Sequence, residues 1–555
     1  MKRYFLALVC AIFTTIANAQ APITVTSGTI SRTTPLIGLN SNGHLSPNCP
    51  ASSGNLGANW TQNAFIDSVA YIYPEVLRYP GGTVGNHWDW NTGWYLPTYG
   101  PPCTALTVRV DEFSAGLTAS NAEGLYVMNM ETSNAHYQTD GIRHAMNIGI
   151  NPKYIELGNE HNLVNGVFSA QLMTESVYAT TAKQYYDSII SVLPTAKIAI
   201  VGGKNANWTN WPTTTLGVFN NFDAVTWHPY PNANNTDLAF HLNRALAVPF
   251  GPLSLTGSLA NMYSFGNFNS PSLASKEIWV TEYNLNELAN ASVPTIATTW
   301  SHFLYVNAMH DYFLKNPKIT MIINHAAASI DSIHASIRVD NQSLTANAVA
   351  MKLLLDVSRG SLNCTDMNFS GSSSMTYSTS TIPKLTGWIF DSPSEKNGFI
   401  CNYSKDTFKV SLSSIFSTTM QYTQFSADTS AQIHGLHSLT QVSGTSSDSI
   451  LIAPFSFTQI FTNLTTGIKY YSVEKEAINI YPNPFTSTTT LQTDNVFKDA
   501  TLIVYNLQGQ QVKQIKNISG KTITLHRDYL PMGLYFIHLT QDNKTITTDK
   551  LIITD

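Results

Sequence analysis

Residues 153–162 read KYIELGNEHN, and residues 277–284 read EIWVTEYN. Each stretch begins as a short apolar run, which is typical of a buried strand, and ends in polar residues that include a glutamate. Similar short apolar runs recur along residues 35–328, and longer stretches of helical periodicity separate them, which is the pattern of parallel strands joined by crossover helices. In chain order the eight strand segments are PLIGLN at 35, EVLRYPGG at 75, GLYVMNM at 124, KYIELGNE at 153, AKIAIVGG at 196, FDAVTWHPY at 222, EIWVTEYN at 277 and ITMIINHA at 319.

Helical periodicity is clearest in residues 174–193, 298–316 and 345–360, which predict crossover helices and a final helix. Eight strands of this kind close most economically into a (β/α)8 TIM barrel, an α/β fold that we assign to residues 20–360. An open, doubly wound sheet is the alternative, but no GxGxxG phosphate loop follows any of the strands.

The rest of the chain is predicted to be all-β. Over residues 361–468 short Ser/Thr-rich alternating segments replace the helical period, which indicates an antiparallel β-sandwich. A linker over residues 469–476 leads to a last stretch, residues 477–555, with turn signals of its own such as LPMGLY. We expect this stretch to form a small C-terminal Ig-like domain.

The first 19 residues have the form of a secretory signal peptide. Lys2 and Arg3 precede a short apolar run, and residues 17–19, Ala-Asn-Ala, fit the small-residue pattern of a cleavage site. That run is too short to span a bilayer, and no later segment predicts a transmembrane span. The 555 residues are 12% charged with a formal net charge of −5, which argues against nucleic acid as a partner and suits a neutral polysaccharide better.

Removal of the signal peptide leaves four cysteines, an even number in a chain that enters an oxidising compartment. We favour the disulfides Cys49–Cys103 and Cys364–Cys401, because each pair falls within one predicted domain. Four cysteines allow three connectivities, and four free thiols are the other alternative. No CxxC or Cys/His cluster predicts a zinc site, so we expect no metal and no cofactor.

Glu160 and Glu282 are the candidate catalytic residues. Each closes a predicted strand, so in a barrel both side chains emerge on the C-terminal face, where catalytic groups collect. Cleavage of a glycosidic bond with retention needs a carboxylic acid to protonate the leaving oxygen and a carboxylate to attack the anomeric carbon, about 5–5.5 Å apart. We assign Glu160 as general acid/base and Glu282 as nucleophile. A strand cap or a loop salt bridge is the structural alternative for either residue.

These motifs resemble a known group of enzymes. GNE at 158, WHPY at 227 and TEYN at 281 are similar to the strand ends of glycoside hydrolase clan A, and LRYPGGTVGNHWDWNTG at 77–93 resembles the strand-2 segment of the family 51 α-L-arabinofuranosidases. The resemblance covers about residues 25–465. It implies a carbohydrate substrate, with α-L-arabinofuranosidase as the first choice of activity.

The resemblance also implies roles for four further residues. Arg78 would lie below the nucleophile and keep it ionised, because a guanidinium lowers the pKa of a nearby carboxyl group. Asn159 would hydrogen-bond the sugar hydroxyl next to the anomeric centre. His228 and Tyr230 would orient the nucleophile and line the subsite. A structural arginine, a turn residue and a core histidine are the corresponding structural alternatives.

Three weaker candidates complete the predicted site. Trp88 and Trp90 would offer flat apolar faces to a sugar ring, although aromatic residues also fill barrel mouths by packing alone. Asn40 closes the first strand. One departure concerns the sugar: where family 51 has PGGN, this chain has Thr83, which lacks the amide donor. Another furanosidase, a xylanase-like or a glucuronidase-like specificity therefore stays open.

The C-terminal segment resembles the type A sorting domain of the type IX secretion system. The resemblance rests on four motifs in order: INIYPNPFTSTTTL, LIVYNLQGQQV, LPMGLYFIHL and DKLII. It implies the type IX secretion machinery as a partner and export across the outer membrane, followed by release or surface attachment. A carbohydrate-binding or generic Ig-like module is the alternative.

Two other functions stay open at this point. A surface carbohydrate-binding protein on a degenerate barrel would need no catalysis, and loss of either glutamate would favour it. An inverting hydrolase would hold its carboxylates about 6.5–9.5 Å apart to admit a water molecule.

Overall fold

The computed structural model describes residues 22–41, 59–96, 103–161, 173–202, 211–231, 241–254, 258–285, 296–329, 333–338, 342–462, 479–506, 511–541 and 544–555. We number strands β1–β26 and helices α1–α9 in chain order. The predicted signal peptide (1–19), the linker (469–476) and Cys49 lie outside these residues.

Eight parallel strands close into a barrel, which confirms the predicted fold. The strands are β2 Leu36–Asn40, β3 Val76–Tyr79, β6 Glu123–Val127, β7 Tyr154–Leu157, β8 Lys197–Ile200, β9 Ala224–Trp227, β10 Glu277–Val280 and β11 Ile319–His325. They follow one another around the barrel in chain order, and β11 pairs with β2 to close it. Seven of the eight predicted segments contain one of these strands, and the segment at 124 misses only the first residue of β6.

The helices form the outer layer. They are α1 Asn63–Ile72, α2 Val110–Ser120, α3 Ala135–Asn147, α4 Glu175–Val192, α5 Trp211–Val218, α6 His241–Phe250, α7 Leu259–Phe265, α8 Trp300–Leu314 and α9 Ala346–Ser358. The three helices predicted from periodicity are α4, α8 and α9. Within the described ranges, none of the nine combines the length and apolar character needed to cross a bilayer.

Alternation along each strand divides its side chains between two environments. Ile155 and Leu157 of β7 pack against the helices, whereas Tyr154 packs with Trp279 inside the barrel. Because successive side chains point to opposite faces, Glu156 also faces inward, one layer nearer the C-terminal mouth. The barrel interior is therefore apolar at its base and polar beneath the mouth.

The second domain, which we call the β-sandwich, is built from a nine-stranded sheet that is antiparallel except where β1 pairs with β17. Its predicted boundary in the sequence needs a correction. Its order is β19-β18-β21-β16-β15-β12-β1-β17-β20. Strand β1 was assigned to the barrel domain, but it pairs with β12, for example Arg32 with Cys364. Alternation in β1 indicates a half-buried strand but not which sheet it joins. The strands are β1 Ile23–Thr33, β12 Asn363–Ser370, β15 Leu385–Asp391, β16 Lys396–Asn402, β17 Phe408–Ser411, β18 Met420–Ser426, β19 Thr440–Ser446, β20 Ser449–Ile452 and β21 Ser456–Phe461.

Two short hairpins and a third domain complete the fold. The hairpins are β4 Trp88–Asp89 with β5 Trp94–Tyr95 and β13 Ser374–Tyr377 with β14 Ser380–Pro383. The C-terminal domain is a five-stranded antiparallel sheet with its own apolar core. Its strands are β22 Asn479–Tyr481, β23 Thr488–Tyr505, β24 Gln511–His526, β25 Gly533–Gln541 and β26 Lys544–Ile553.

The predicted disulfide between Cys364 and Cys401 is wrong, since both are free, buried thiols. Strand β15 lies between them, because it pairs with β12 through Cys364–Phe390 and with β16 through Thr386–Cys401. Two strand spacings alone put at least roughly 9–10 Å between the cysteines, beyond the ~7 Å limit for a disulfide. Cys103 is disulfide-bonded.

Candidate active site

Arg78 is the centre of the polar layer inside the barrel. Its guanidinium is fully buried and donates to Glu156 through Nε at 2.7 Å and Nη2 at 3.1 Å. Nη1 donates to Glu282 Oε1 at 2.7 Å, and Nη2 also donates to Asn159 Oδ1 at 2.7 Å. One cation thus holds residues from three barrel strands together in a water-poor environment, where charge-assisted hydrogen bonds are strong.

Glu282 is held as a carboxylate. Tyr230 donates its hydroxyl to Glu282 Oε2 at 2.7 Å, and His325 Nδ1 lies 3.7 Å from the same oxygen. Burial alone raises the pKa of Glu282, but the positive charge of His325, His228 and Arg78 outweighs it and holds the pKa well below its usual value. Glu282 therefore carries the charge that a nucleophile needs.

Glu160 lies on a tight turn after β7. Gly158 and Glu160 both adopt left-handed backbone conformations, with φ of 81° and 44°. Asn86 clamps the residue between them, because it donates Nδ2 to the Asn159 carbonyl at 2.7 Å and accepts from the Asn159 N–H at 3.0 Å. This turn directs the Glu160 side chain toward the barrel axis, where it meets His228.

His228 links the acid/base candidate to the buried network. Its Nδ1 lies 2.9 Å from Glu160 Oε1, and its Nε2 lies 2.8 Å from Thr281 Oγ1, which donates to Glu156 at 3.2 Å. Burial lowers the pKa of His228, but the surrounding carboxylates more than compensate and raise it to about 9. Both ring nitrogens then carry protons at neutral pH, so His228 donates to Glu160 and to Thr281.

The two candidate catalytic carboxylates lie close together. One oxygen of Glu160, one of Glu282 and one nitrogen of His228 all lie within 4.8 Å of one another. These three atoms are also the only group in the described residues with the proximity needed to bind a metal ion. A cation there would face the Arg78 guanidinium, already hydrogen-bonded to Glu282, and a protonated His228, so the local charge disfavours it.

Asn159 and Asn40 also belong to this constellation. Asn159 Nδ2 is buried and has no hydrogen-bond partner in the part of the chain that the structure describes. It is a donor without an acceptor at the centre of the site. With its amide oxygen turned toward the donors around it, Asn40 accepts from His325 Nδ1 at 2.6 Å and from Arg78 Nη1 at 3.2 Å.

Trp88 and Trp90 are held by contacts with residues other than the two candidate carboxylates. The Trp88 ring is buried and donates Nε1 to the Tyr79 hydroxyl at 3.0 Å. Trp90 donates Nε1 to the Tyr137 carbonyl at 3.0 Å and packs against Gly141 of α3. The β4–β5 hairpin places both rings in packing contacts, and Trp90 stays partly exposed.

The segment after β3 leaves little room beside Glu282. A Cβ at Gly82 would lie 2.4 Å from Glu282 Oε1, so only glycine fits there. Thr83, the residue that departs from the family 51 pattern, begins the 3-10 helix Thr83–His87 and is partly exposed. This short helix also carries Asn86, which explains how it supports the Asn159 turn.

Sequence reasoning missed Glu156, Thr281 and His325. Glu156 carried a detectable signal, since a charged residue inside an apolar strand run needs a buried partner. Thr281 directly precedes Glu282, and His325 is the last residue of the eighth barrel strand. Neither residue type marks a site on its own.

Comparison with solved structures agrees with this architecture. The chain is similar to an α-L-arabinofuranosidase from Thermotoga maritima, with a TM-score of 0.60 and 16% identity over 79% of this chain and 99% of that chain. A family 51 α-L-arabinofuranosidase from Bifidobacterium longum gives a TM-score of 0.60 and 12% identity, over 80% and 100%. A 4-O-α-L-rhamnosyl-β-D-glucuronidase from Fusarium oxysporum gives 0.52 and 14%, over 79% and 99%. The barrel and sandwich have the fold of the clan A glycoside hydrolases.

A search of curated proteins finds no match to the chain. A family model, "Secretion system C-terminal sorting domain", matches residues 479–554. These residues are a sorting domain. The sorting domain coincides with the C-terminal sheet, β22–β26, and confirms the prediction of export by type IX secretion to the cell surface or beyond.

Proposed function

We propose that this protein is an exported retaining glycoside hydrolase in which Glu160 is the general acid/base and Glu282 the nucleophile. One observation carries the proposal: an oxygen of Glu160 and an oxygen of Glu282 lie within 4.8 Å of each other. That proximity suits direct attack, which needs about 5–5.5 Å between carboxyl groups, better than the wider gap of an inverting enzyme.

In the first step Glu282 attacks the anomeric carbon while Glu160 gives its proton to the leaving oxygen. The glycosidic bond breaks and an ester bond forms between the sugar and Glu282. Arg78 and Tyr230 hold the attacking carboxylate by hydrogen bonds of 2.7 Å each, which fixes its orientation before substrate arrives. The partnerless Asn159 Nδ2 is available to the hydroxyl next to the anomeric carbon.

In the second step Glu160 takes a proton from water, and the resulting hydroxide equivalent attacks the same carbon. The ester bond breaks, Glu282 leaves as a carboxylate, and the two inversions give net retention. His228 Nδ1, 2.9 Å from Glu160 Oε1, holds the carboxyl group in place for this step.

An α-L-arabinofuranoside is the first substrate to test, because two of the structural neighbours are α-L-arabinofuranosidases. A glucuronidase-like specificity is the second, since another neighbour of the same coverage is a glucuronidase and Thr83 departs from the arabinofuranosidase pattern. At identities of 12–16% these neighbours share the fold, so the aryl glycoside panel has to identify the substrate sugar.

The test is a panel of aryl α- and β-glycosides with NMR detection of the first-formed anomer. Wild type is expected to release the aryl group with retention, and Glu160→Ala and Glu282→Ala are expected to lose at least about 10³-fold in kcat/KM. Added azide should restore turnover of both variants. Glu160→Ala should then form a glycosyl azide of retained configuration, and Glu282→Ala one of inverted configuration.

Glu123→Gln is the matched control, because Glu123 begins a barrel strand at the opposite, N-terminal end and pairs with Lys153 at the surface. It should keep wild-type activity. Binding of glycans without hydrolysis of any of the panel would instead support a carbohydrate-binding protein, and an inverted first product would contradict the assignment of Glu282.

A further inference from the structure

The β-sandwich touches the barrel at the first turn of α8. The segment 429–433, between β18 and β19, supplies carbonyl oxygens to this turn. The Trp300 N–H donates to the Ala431 carbonyl at 3.0 Å, and the Ser301 N–H donates to the Thr429 carbonyl at 2.9 Å. These are two of the N–H groups that a helix start leaves without intrahelical partners. The sandwich therefore caps a helix that begins on the catalytic side of the barrel.

A chain of hydrogen bonds continues inward from this contact. Gln432 accepts from the Thr298 hydroxyl, and the Thr298 N–H donates to His302 Nδ1 at 3.1 Å. His302 Nε2 lies 3.1 Å from Asn284 Oδ1, and Asn284 Nδ2 donates to the His325 carbonyl at 2.5 Å. His302 and Asn284 are both fully buried.

The donors and acceptors fix the direction of this chain. A backbone N–H can only donate, so His302 Nδ1 must accept and Nε2 must carry the proton that goes to Asn284. Burial lowers the pKa of His302 to about 3, which agrees with a neutral ring. The His302 ring cannot be reversed without leaving buried polar atoms unpaired. Its two hydrogen bonds therefore fix the orientation of the ring and of the Asn284 side chain.

The chain ends beside the nucleophile. Asn284 follows Glu282 by two residues, and His325, whose carbonyl it holds, has its Nδ1 3.7 Å from Glu282 Oε2. Asn284 thus ties the segment that carries the nucleophile to the end of the eighth strand. We propose that the β-sandwich positions Glu282 through His302 and Asn284, so that this domain is part of the catalytic apparatus. The inference rests on the proposed function of Glu282.

Two substitutions at His302 distinguish its hydrogen bond to Thr298 from its hydrogen bond to Asn284. Glutamine can reproduce the Nε2 donor toward Asn284, whereas asparagine can reproduce only the Nδ1 acceptor toward Thr298. In the full-length protein we expect His302→Asn to lower kcat roughly 10- to 100-fold with KM changed little, because a small displacement of a reacting group has that cost. His302→Gln should keep most of kcat.

Gln432→Ala tests the sandwich end of this hydrogen-bond chain at an exposed residue. It should lower kcat by about 2- to 10-fold, the cost of one hydrogen bond. Ser301→Ala is the matched control: it removes a 2.8 Å hydrogen bond to the Thr429 carbonyl at the same contact but no link to Asn284. Its kcat should equal that of wild type.

Equal kcat in His302→Asn and wild type, measured well below their melting temperatures, would overturn the inference. Equal losses in His302→Asn and His302→Gln would do the same, because a purely structural histidine does not distinguish its two ends. Should His302→Asn fail to fold, Gln432→Ala against Ser301→Ala decides alone. An inactive wild type would instead contradict the proposed function itself.

Discussion

Arg78 donates to Glu282 at 2.7 Å and binds Glu156 with two further hydrogen bonds, so one buried guanidinium serves the proposed nucleophile and a second buried carboxylate together. Lysine has one point charge and cannot reproduce this planar set of donors. We expect Arg78→Lys to lower kcat by about 10²-fold or more and the free energy of unfolding by roughly 1–3 kcal/mol. Aryl glycoside kinetics and urea unfolding measure the two effects.

The control for Arg78 is Arg143→Lys, which alters an exposed pair with Asp140 on α3. Exposed pairs contribute about 0–1 kcal/mol, so stability and kcat should both stay close to wild type. Equal effects of the two substitutions would contradict the role given to Arg78.

Asn159 offers the site an unpaired donor. Asn159→Asp keeps an oxygen for Arg78 but replaces Nδ2 by a second oxygen, so kcat should fall by about 10²–10³-fold on a substrate with a hydroxyl next to the anomeric carbon. On the matching deoxy substrate wild type and variant should differ far less. A variant that loses activity equally on both substrates would show that Asn159 does not bind that hydroxyl.

His228 should make stability fall as pH rises. Its pKa is raised to about 9 in the folded protein from an ordinary value of 6.5, so its contribution is complete below pH 6.5 and is lost as pH rises through 9. The free energy of unfolding should decrease over this window, by roughly 3 kcal/mol at most. His228→Asn should remove that decrease, whereas His136→Asn, at an 82% exposed side chain, should not. Unfolding by urea at several pH values measures the slope, and a His228→Asn slope equal to wild type would refute the assignment.

Thiol chemistry checks the corrected disulfide prediction. Burial raises the pKa of the Cys364 thiol to about 11 and also raises that of Cys401, so neither should react with iodoacetamide in the native protein. After unfolding without reductant, both should alkylate and Cys103 should not. Peptide mass mapping reads out the result, and a linked Cys364–Cys401 peptide would contradict the structure.

Much of the fold followed from local pattern. Strands covered on both faces must be apolar throughout, so the eight barrel segments stood out, and helical periodicity identified α4, α8 and α9. Strand β1 was misassigned because its alternation is equally suited to any half-buried sheet. The cysteine pairing failed for a related reason: membership in one domain does not determine how many strands lie between two residues.

The candidate site shows the same difference between residues that local sequence predicts and residues that depend on distant partners. Glu160 and Glu282 were predicted as a pair because each follows a strand at the mouth of a parallel barrel, a position set by topology alone. Trp88 and Trp90 were grouped with them by residue type, yet the β4–β5 hairpin directs both rings into packing contacts. Glu156 and Thr281 went unnoticed because their importance depends on partners that lie far away in sequence.

The sequence by itself determined the kind of barrel, the sorting domain and the two strand ends that carry the acidic residues, because strand period and strand termini are local properties. Only the tertiary structure decided that Arg78 neutralises two carboxylates, that His228 is shared between Glu160 and the buried network, and that the sandwich reaches toward Glu282. Hydrogen bonds of 2.7–3.1 Å require side chains from distant segments to meet with fixed orientation. Only the folded chain brings these segments together.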